Sequence, residues 1–191
     1  MLYFEWAFVH QMVNKYGYVG PMLDLGGMLD TSFVDYHGDS GKKGLLRPAV
    51  GRLWDAIDPG CTVTHETERH APGHPYEYRT IVSTSTLEHV ETPLEFIQAA
   101  YNMLKPGGLL VLSTVFMWPV HGDPDRDRWR FTEHGLLILT RKAGFTVLES
   151  GYKTYENLPD RVVVYVVASK GVLTDRTRVG KIPTPDVIEC S

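Results

Sequence analysis

The chain has 191 residues, a length that suits one domain with a continuous core. Its hydrophobic share of 43% and charged share of 22% are ordinary for a globular protein, and a formal charge of -4 leaves no basic surplus for tracking a nucleic-acid backbone. Cys61 and Cys190 stand far apart without ligand spacing, which disfavours a disulfide scaffold or a zinc site and points to a reducing, cytoplasmic setting.

No stretch is long and apolar enough to span a bilayer, and Glu5, His10 and Gln11 interrupt the N-terminal residues without a basic leader, arguing against a secretory signal. Residues 1–17 predict an amphipathic helix. Leu2, Trp6, Val9 and Val13 form its stripe, Gly17 ends it, and it is expected to pack on the domain as a lid. After Gly20-Pro21, Met22 to Leu25 reads as the first strand, followed by Gly26-Gly27. Residues 31–50 are the least patterned, and Gly41-Lys42-Lys43 lacks the full glycine-lysine-serine pattern of a triphosphate site.

Arg52 to Asp58 reads as a second strand ending in acids before Pro59-Gly60, and Thr62 to His65 as a third at the edge of the sheet. His65, His70 and His74 suggest a metal, but they have no compact ligand spacing and read as surface histidines, so no metal ligand is assigned. Thr80 to Val82 is a β-branched strand opening into the polar run Ser83 to Val90. Thr92-Pro93-Leu94-Glu95 predicts a helix start, with a capping Thr, Pro at the first helical position and a Glu reaching back. Leu94, Ile97, Tyr101 and Leu104 give that helix its packing face, and Lys105-Pro106-Gly107-Gly108 is expected to end it. Leu109 to Thr114 is apolar without alternation, as in a parallel strand covered on both faces.

An aromatic and proline-rich loop follows, from Val115 to Pro124, then a helix capped by Thr132 and ending at Gly144. Phe145 to Glu149 and Val162 to Val167 are the last two strands. About ten residues join them, too few for the crossover a parallel pair needs, so they are expected to be antiparallel. The final run is apolar throughout and belongs inside the sheet. Residues 174–191 read as a tail on the same single domain.

Leu87-Glu88-His89-Val90, the Pro93 helix, Leu104-Lys105-Pro106-Gly107-Gly108 and Trp129-Arg130-Phe131-Thr132 with Ala143-Gly144-Phe145 together resemble the class I S-adenosylmethionine-dependent methyltransferases, in particular the type 11 group. The resemblance implies an α/β, three-layer Rossmann-like fold with a mostly parallel seven-stranded sheet and an antiparallel last strand. It also implies S-adenosyl-L-methionine as cofactor. Asp24, Gly26 and Gly27 would lie at its methionine part and Asp55 or Asp58 at the ribose hydroxyls, with Ser83 and Leu87 also bordering it. Met28 and Asp30 stand where the family places glycines, a departure at a position that calls for close backbone approach.

On this reading the acceptor is a small molecule, metabolite or glycan, held by the loop after Leu109 to Thr114. His121 is the first candidate base, oriented by Asp123, and His89 the second, because imidazole accepts a proton near neutral pH. Arg128 and Arg130 would pair an acidic substrate or the neighbouring Asp125 and Asp127. The alternative function is a non-catalytic relative acting as a binding or partner subunit, which the irregular glycine loop motivates. A nicotinamide-dependent oxidoreductase would need a full glycine fingerprint that is not present. Neither nucleic acid nor membrane is expected as a partner, and no oligomeric state is assigned.

Overall fold

A computed structural model describes residues 8–9, 11–12, 15–17, 22–25, 63–66, 78–121, 127–154 and 161–173. Its strands are β1 (Met22–Leu25), β2 (Val63–Glu66), β3 (Tyr78–Thr84), β4 (Leu104–Val115), β5 (Thr146–Lys153) and β6 (Val163–Ser169). Two helices follow β3 and β4 in turn: α1 (Pro93–Met103) and α2 (Glu133–Lys142). The six strands form one sheet in the order β2-β1-β3-β4-β6-β5. β2, β1, β3 and β4 are parallel, whereas β6 runs antiparallel to both β4 and β5. The expected strand over Arg52 to Asp58 lies outside the described residues, as do Met28, Asp30, Asp123 and the tail.

The apolar runs at the centre determine that order. β6 is buried at every position, and β3 and β4 nearly so, because each has a strand on both sides and cover on both faces. Alternate residues of a strand face opposite sides. Leu110, Leu112, Val164, Val166 and Ala168 therefore share one face, where they join Phe96, Ile97, Ala100 and Met103 of α1 and Leu136 of α2 in the core. On the other face the Tyr165 ring meets Phe8 at 4.7 Å between centroids. Phe8, Val9 and Met12 are buried in helical backbone that ends at Gly17, whose φ of 76° suits a residue without Cβ. Of the expected N-terminal stripe, Val9 is described and buried. This gives the three layers the resemblance implies.

The two helix starts differ. Thr132 caps α2 as expected, its hydroxyl accepting from the Gly135 amide at 3.1 Å. Thr92 makes no such bond. Its hydroxyl donates instead to Glu95 Oε2 at 2.8 Å, so the two residues meet each other rather than the amides, and its carbonyl accepts from Phe96 N at 3.1 Å. The stop also differs from expectation. α1 ends at Met103, and Leu104 already pairs with Tyr78 while Leu109 pairs with Thr80, so Lys105 to Gly108 bulges out of β4. Gly107 holds a φ of 73° and donates to Lys170 O at 2.7 Å; Lys170 N donates to Gly108 O at 3.0 Å.

A Cβ at Gly108 would lie 2.8 Å from Lys105 O and 3.2 Å from Arg79 O, both backbone atoms that have little room to yield. Gly108→Ala is expected to destabilise the chain by about 1–3 kcal/mol, read as a lower urea midpoint at unchanged slope.

Glu149 joins the N-terminal helix to the sheet, accepting from Tyr16 Oη at 2.8 Å, from Tyr165 Oη at 2.9 Å and from Lys15. Burial pushes its carboxyl up, but the bonds from Lys15, Tyr16 and Tyr165 outweigh burial and hold it below its ordinary value of 4.5. A depressed carboxylate contributes stability above the unfolded-state pKa and loses it as pH falls through the folded one. Denaturation midpoints followed from neutral pH to below 4.5 should therefore fall less steeply in Glu149→Gln than in the parent chain.

Candidate active site

β1, β2, β3 and β4 are parallel, so their carboxyl ends share one edge of the sheet. β2 and β3 both follow β1 in the chain yet flank it on opposite sides, which places the reversal of strand order between β1 and β3. In open α/β sheets a ligand crevice forms outside the strand ends at such a point. Ser83 and Thr84, at the end of β3, are buried there, and their hydroxyls have no hydrogen-bond partner among the described residues.

Ser85 then adopts a φ of 45°, a left-handed conformation that costs a residue with a Cβ roughly 1–3 kcal/mol. It turns the chain sharply at the sheet's edge. Ser85 N donates to Ser113 O at 3.1 Å, Thr86 Oγ1 to Thr84 O at 3.1 Å and His89 N to Thr86 O at 2.9 Å. The turn carries Leu87 and Glu88 inward, both fully buried.

Glu88 holds two loops together. Its carbonyl accepts from Arg128 N at 2.8 Å and Trp129 N at 3.2 Å, and its Oε2 accepts from Thr114 Oγ1 of β4 at 2.7 Å. Its Oε1 lies 4.0 Å from His89 Nε2 and 3.9 Å from His121 Nε2. The two imidazoles meet edge to face, with centroids 5.0 Å apart and planes at 73°.

His121 stands on the loop leaving β4 and is oriented by Asp127, whose side chain is fully buried. The His121 amide donates to Asp127 Oδ2 at 2.8 Å, and His121 Nδ1 lies 3.1 Å from the same oxygen and 3.3 Å from Pro119 O. Both neighbours of Nδ1 are acceptors, which favours a proton on Nδ1, and Nε2 faces Glu88 Oε1. Arg130 braces the carboxylate, donating from Nη2 to Asp127 Oδ2 at 2.7 Å and to Pro119 O at 3.1 Å. Burial lowers the His121 pKa below 6.5, outweighing the pull of Asp127 the other way. Burial pushes the Asp127 carboxyl up, but bonds from Arg130 and the His121 amide prevail and hold it below 3.8.

A family profile described as a methyltransferase domain matches residues 45–150, more than half of the chain. The chain belongs to the methyltransferase domain family. It is 36% identical over 80 residues to a ubiquinone biosynthesis O-methyltransferase of Vibrio cholerae serotype O1, a match covering 40% of this chain and 31% of that protein. The chain thus spans about a third of the length of the curated relatives it matches. Its fold is shared with a Burkholderia thailandensis 1,6-didemethyltoxoflavin-N1-methyltransferase solved with S-adenosylhomocysteine (16% identity, TM-score 0.58, 86% of this chain and 76% of that one). It is shared also with an S-adenosylmethionine-dependent methyltransferase from Mesorhizobium loti (16% identity, TM-score 0.55, 86% and 97%). S-adenosyl-L-methionine is the cofactor of this methyltransferase family. The buried hydroxyls of Ser83 and Thr84 fit a polar ligand in the crevice beside β1.

Of the residues singled out in the sequence, His121 and His89 come together. Ser83 lies at the crevice and Leu87 is fully buried in the core. Asp24 is placed by its backbone at the end of β1, between His65 and Val82. Its side chain, Gly26, Gly27, Asp55 and Asp58 lie outside the described residues. Sequence reasoning missed Glu88 and Asp127 as partners of the histidines. Asp127 was legible only as a neighbour of Arg130, which it does pair. Arg128 lies 3.6 Å from Glu91. The available signal for Glu88 was an acid directly before His89 at a strand's carboxyl end.

Thr114→Val should test the Glu88 anchor. Losing the donor to a buried carboxylate is expected to cost about 1–3 kcal/mol of folding stability, measured by urea denaturation.

Proposed function

We propose that the chain transfers a methyl group from S-adenosyl-L-methionine to a hydroxyl of a small-molecule acceptor. One observation carries this reading: buried hydroxyls at the strand-order reversal, unsatisfied among the described residues, lie on the same sheet edge as the Glu88, His89 and His121 cluster. One end of that edge suits the donor and the other the acceptor. When bound, the cofactor supplies an electrophilic methyl on a sulfonium. Ser83 and Thr84, with Asp24, Gly26 and Gly27 and either Asp55 or Asp58, hold the donor. The cluster receives the acceptor's reacting oxygen and promotes loss of its proton, with Asp127 and Arg130 fixing the His121 ring.

A hydroxyl acceptor is supported by the similarity to the Vibrio cholerae O-methyltransferase. Met117, Val120 and Trp129 are exposed on the loops that carry His121 and Asp127, which suits an acceptor with an apolar body. Methyl transfer needs in-line placement of the two groups above all, so these loops act chiefly by positioning. No helix among the described residues is long and apolar enough to cross a membrane, and two widely spaced cysteines are compatible with a reducing compartment.

Met28 and Asp30 in the glycine loop favour a second reading, a partner subunit that no longer binds the cofactor. Calorimetric titration with S-adenosylmethionine and S-adenosylhomocysteine decides between the two. Heat of binding is expected, and its absence at high cofactor concentration would give the second reading precedence. Asp55→Ala and Asp58→Ala then identify the ribose partner, since only its loss should weaken affinity by more than about 1 kcal/mol.

A further inference from the structure

We propose that Glu88, His89 and His121 form a binding site for one divalent first-row transition metal ion. The three residues offer one ligand atom each, and these atoms lie within 4.8 Å of one another. Glu88 Oε1 is 4.0 Å from one Nε2 and 3.9 Å from the other. A tetrahedral ion with bonds of about 2.0–2.1 Å sets its ligands roughly 3.4 Å apart, so side-chain rotations that draw the atoms together by about half to one and a half ångströms close the set. The imidazole centroids are 5.0 Å apart, and both Nε2 atoms lie within 4.0 Å of the same Glu88 oxygen.

The surroundings are those of a ligand set. A metal-binding histidine ordinarily donates its other ring N–H to a carboxylate or carbonyl, which fixes the tautomer and raises the basicity of the ligating nitrogen. His121 Nδ1 has both, Asp127 Oδ2 at 3.1 Å and Pro119 O at 3.3 Å, and Arg130 locks that carboxylate in place. The second oxygen of Glu88 is likewise held, by Thr114 Oγ1 at 2.7 Å, leaving Oε1 turned to the histidines. Two imidazoles and one carboxylate select zinc, iron, cobalt or manganese over the all-oxygen sets that magnesium and calcium take. Three protein ligands leave coordination positions for a substrate oxygen.

The ion's part in catalysis rests on the function proposed above. An acceptor hydroxyl on the ion loses its proton to solvent more readily; its oxygen then bonds to the methyl carbon as the carbon–sulfur bond breaks and the sulfur leaves as a neutral thioether. His121 and His89 then act as ligands, and no side chain takes up that proton.

The test is calorimetry of the chelator-treated full chain with zinc, cobalt and magnesium salts, and separately with S-adenosylhomocysteine. One equivalent of zinc or cobalt is expected to bind. His89→Ala and His121→Ala should each weaken binding at least tenfold, and Asp127→Asn by about 10–100-fold through the ring it orients. The cobalt complex should show the visible absorption of a four- or five-coordinate site, which His121→Ala removes. S-adenosylhomocysteine binding by the three variants controls for folding. No zinc or cobalt binding, binding indifferent to the substitutions, or magnesium bound as tightly as zinc would overturn the proposal. Metal binding without cofactor binding would sink the methyl-transfer reading and leave the site standing, and the reverse result would do the opposite.

Discussion

One buried carboxylate holds the candidate site together. Glu88 is fully inside the protein, where an isolated charge is strongly disfavoured; Thr114 Oγ1 donates to its Oε2, and two imidazole Nε2 atoms lie 4.0 and 3.9 Å from its Oε1. Its side chain reaches Thr114 of β4 while its carbonyl takes the amides of Arg128 and Trp129. The loop after β3 and the segment entering α2 are therefore fixed to the same residue. Without that tie His89 and His121, 32 positions apart by subtraction of their numbers, would have no reason to meet. Asp127 repeats the device, a carboxylate with no solvent exposure that joins Arg130 to the His121 backbone and ring.

Those loops leave inner, buried strands of the sheet. β4 lies between β3 and the antiparallel β6, and nearly all its positions from Gly107 to Val115 are buried. Placing β6 beside β4 also moves β5 to the edge, where the described N-terminal helical residues reach it through Glu149. The layer opposite α1 and α2 meets the sheet at Glu149 and, through Phe8, at Tyr165, which pairs with Ser113 near the carboxyl end of β4.

Much of this architecture was legible in the chain, because burial on both faces leaves a plain mark. Leu109 to Thr114 and Val162 to Val167 read as covered strands, and the short link before the latter required an antiparallel return; both hold. The edge position of the strand near Thr62 holds too, among the described strands. Local polar chemistry was harder to read. The Thr92 and Glu95 spacing of a capping box is present, but the two side chains bond each other, a choice that spacing leaves open. Lys105 to Gly108 was expected as a stop, yet pairing between Tyr78 and Leu104 continues the strand before it, a long-range contact no local pattern encodes. The site was half visible for the same reason. His121 and His89 were recognisable as chemistry, whereas Glu88 and Asp127 owe their roles to neighbours brought near by the fold.

The placement of these groups also bears on how the fold and the site divide the work. A methyl on sulfonium is already electrophilic, so a transferase can rely on geometry and needs little from a base. A buried acid, two histidines and a braced second acid are therefore more than bare positioning demands, and each carries a desolvation cost. The sheet explains where a donor sits; it does not explain this cluster. On the function proposed above, the cluster would handle the acceptor's oxygen, the reactant that differs between members of one fold. Its residues stand on loops rather than strands, so acceptor chemistry can vary while the strands keep the donor's place.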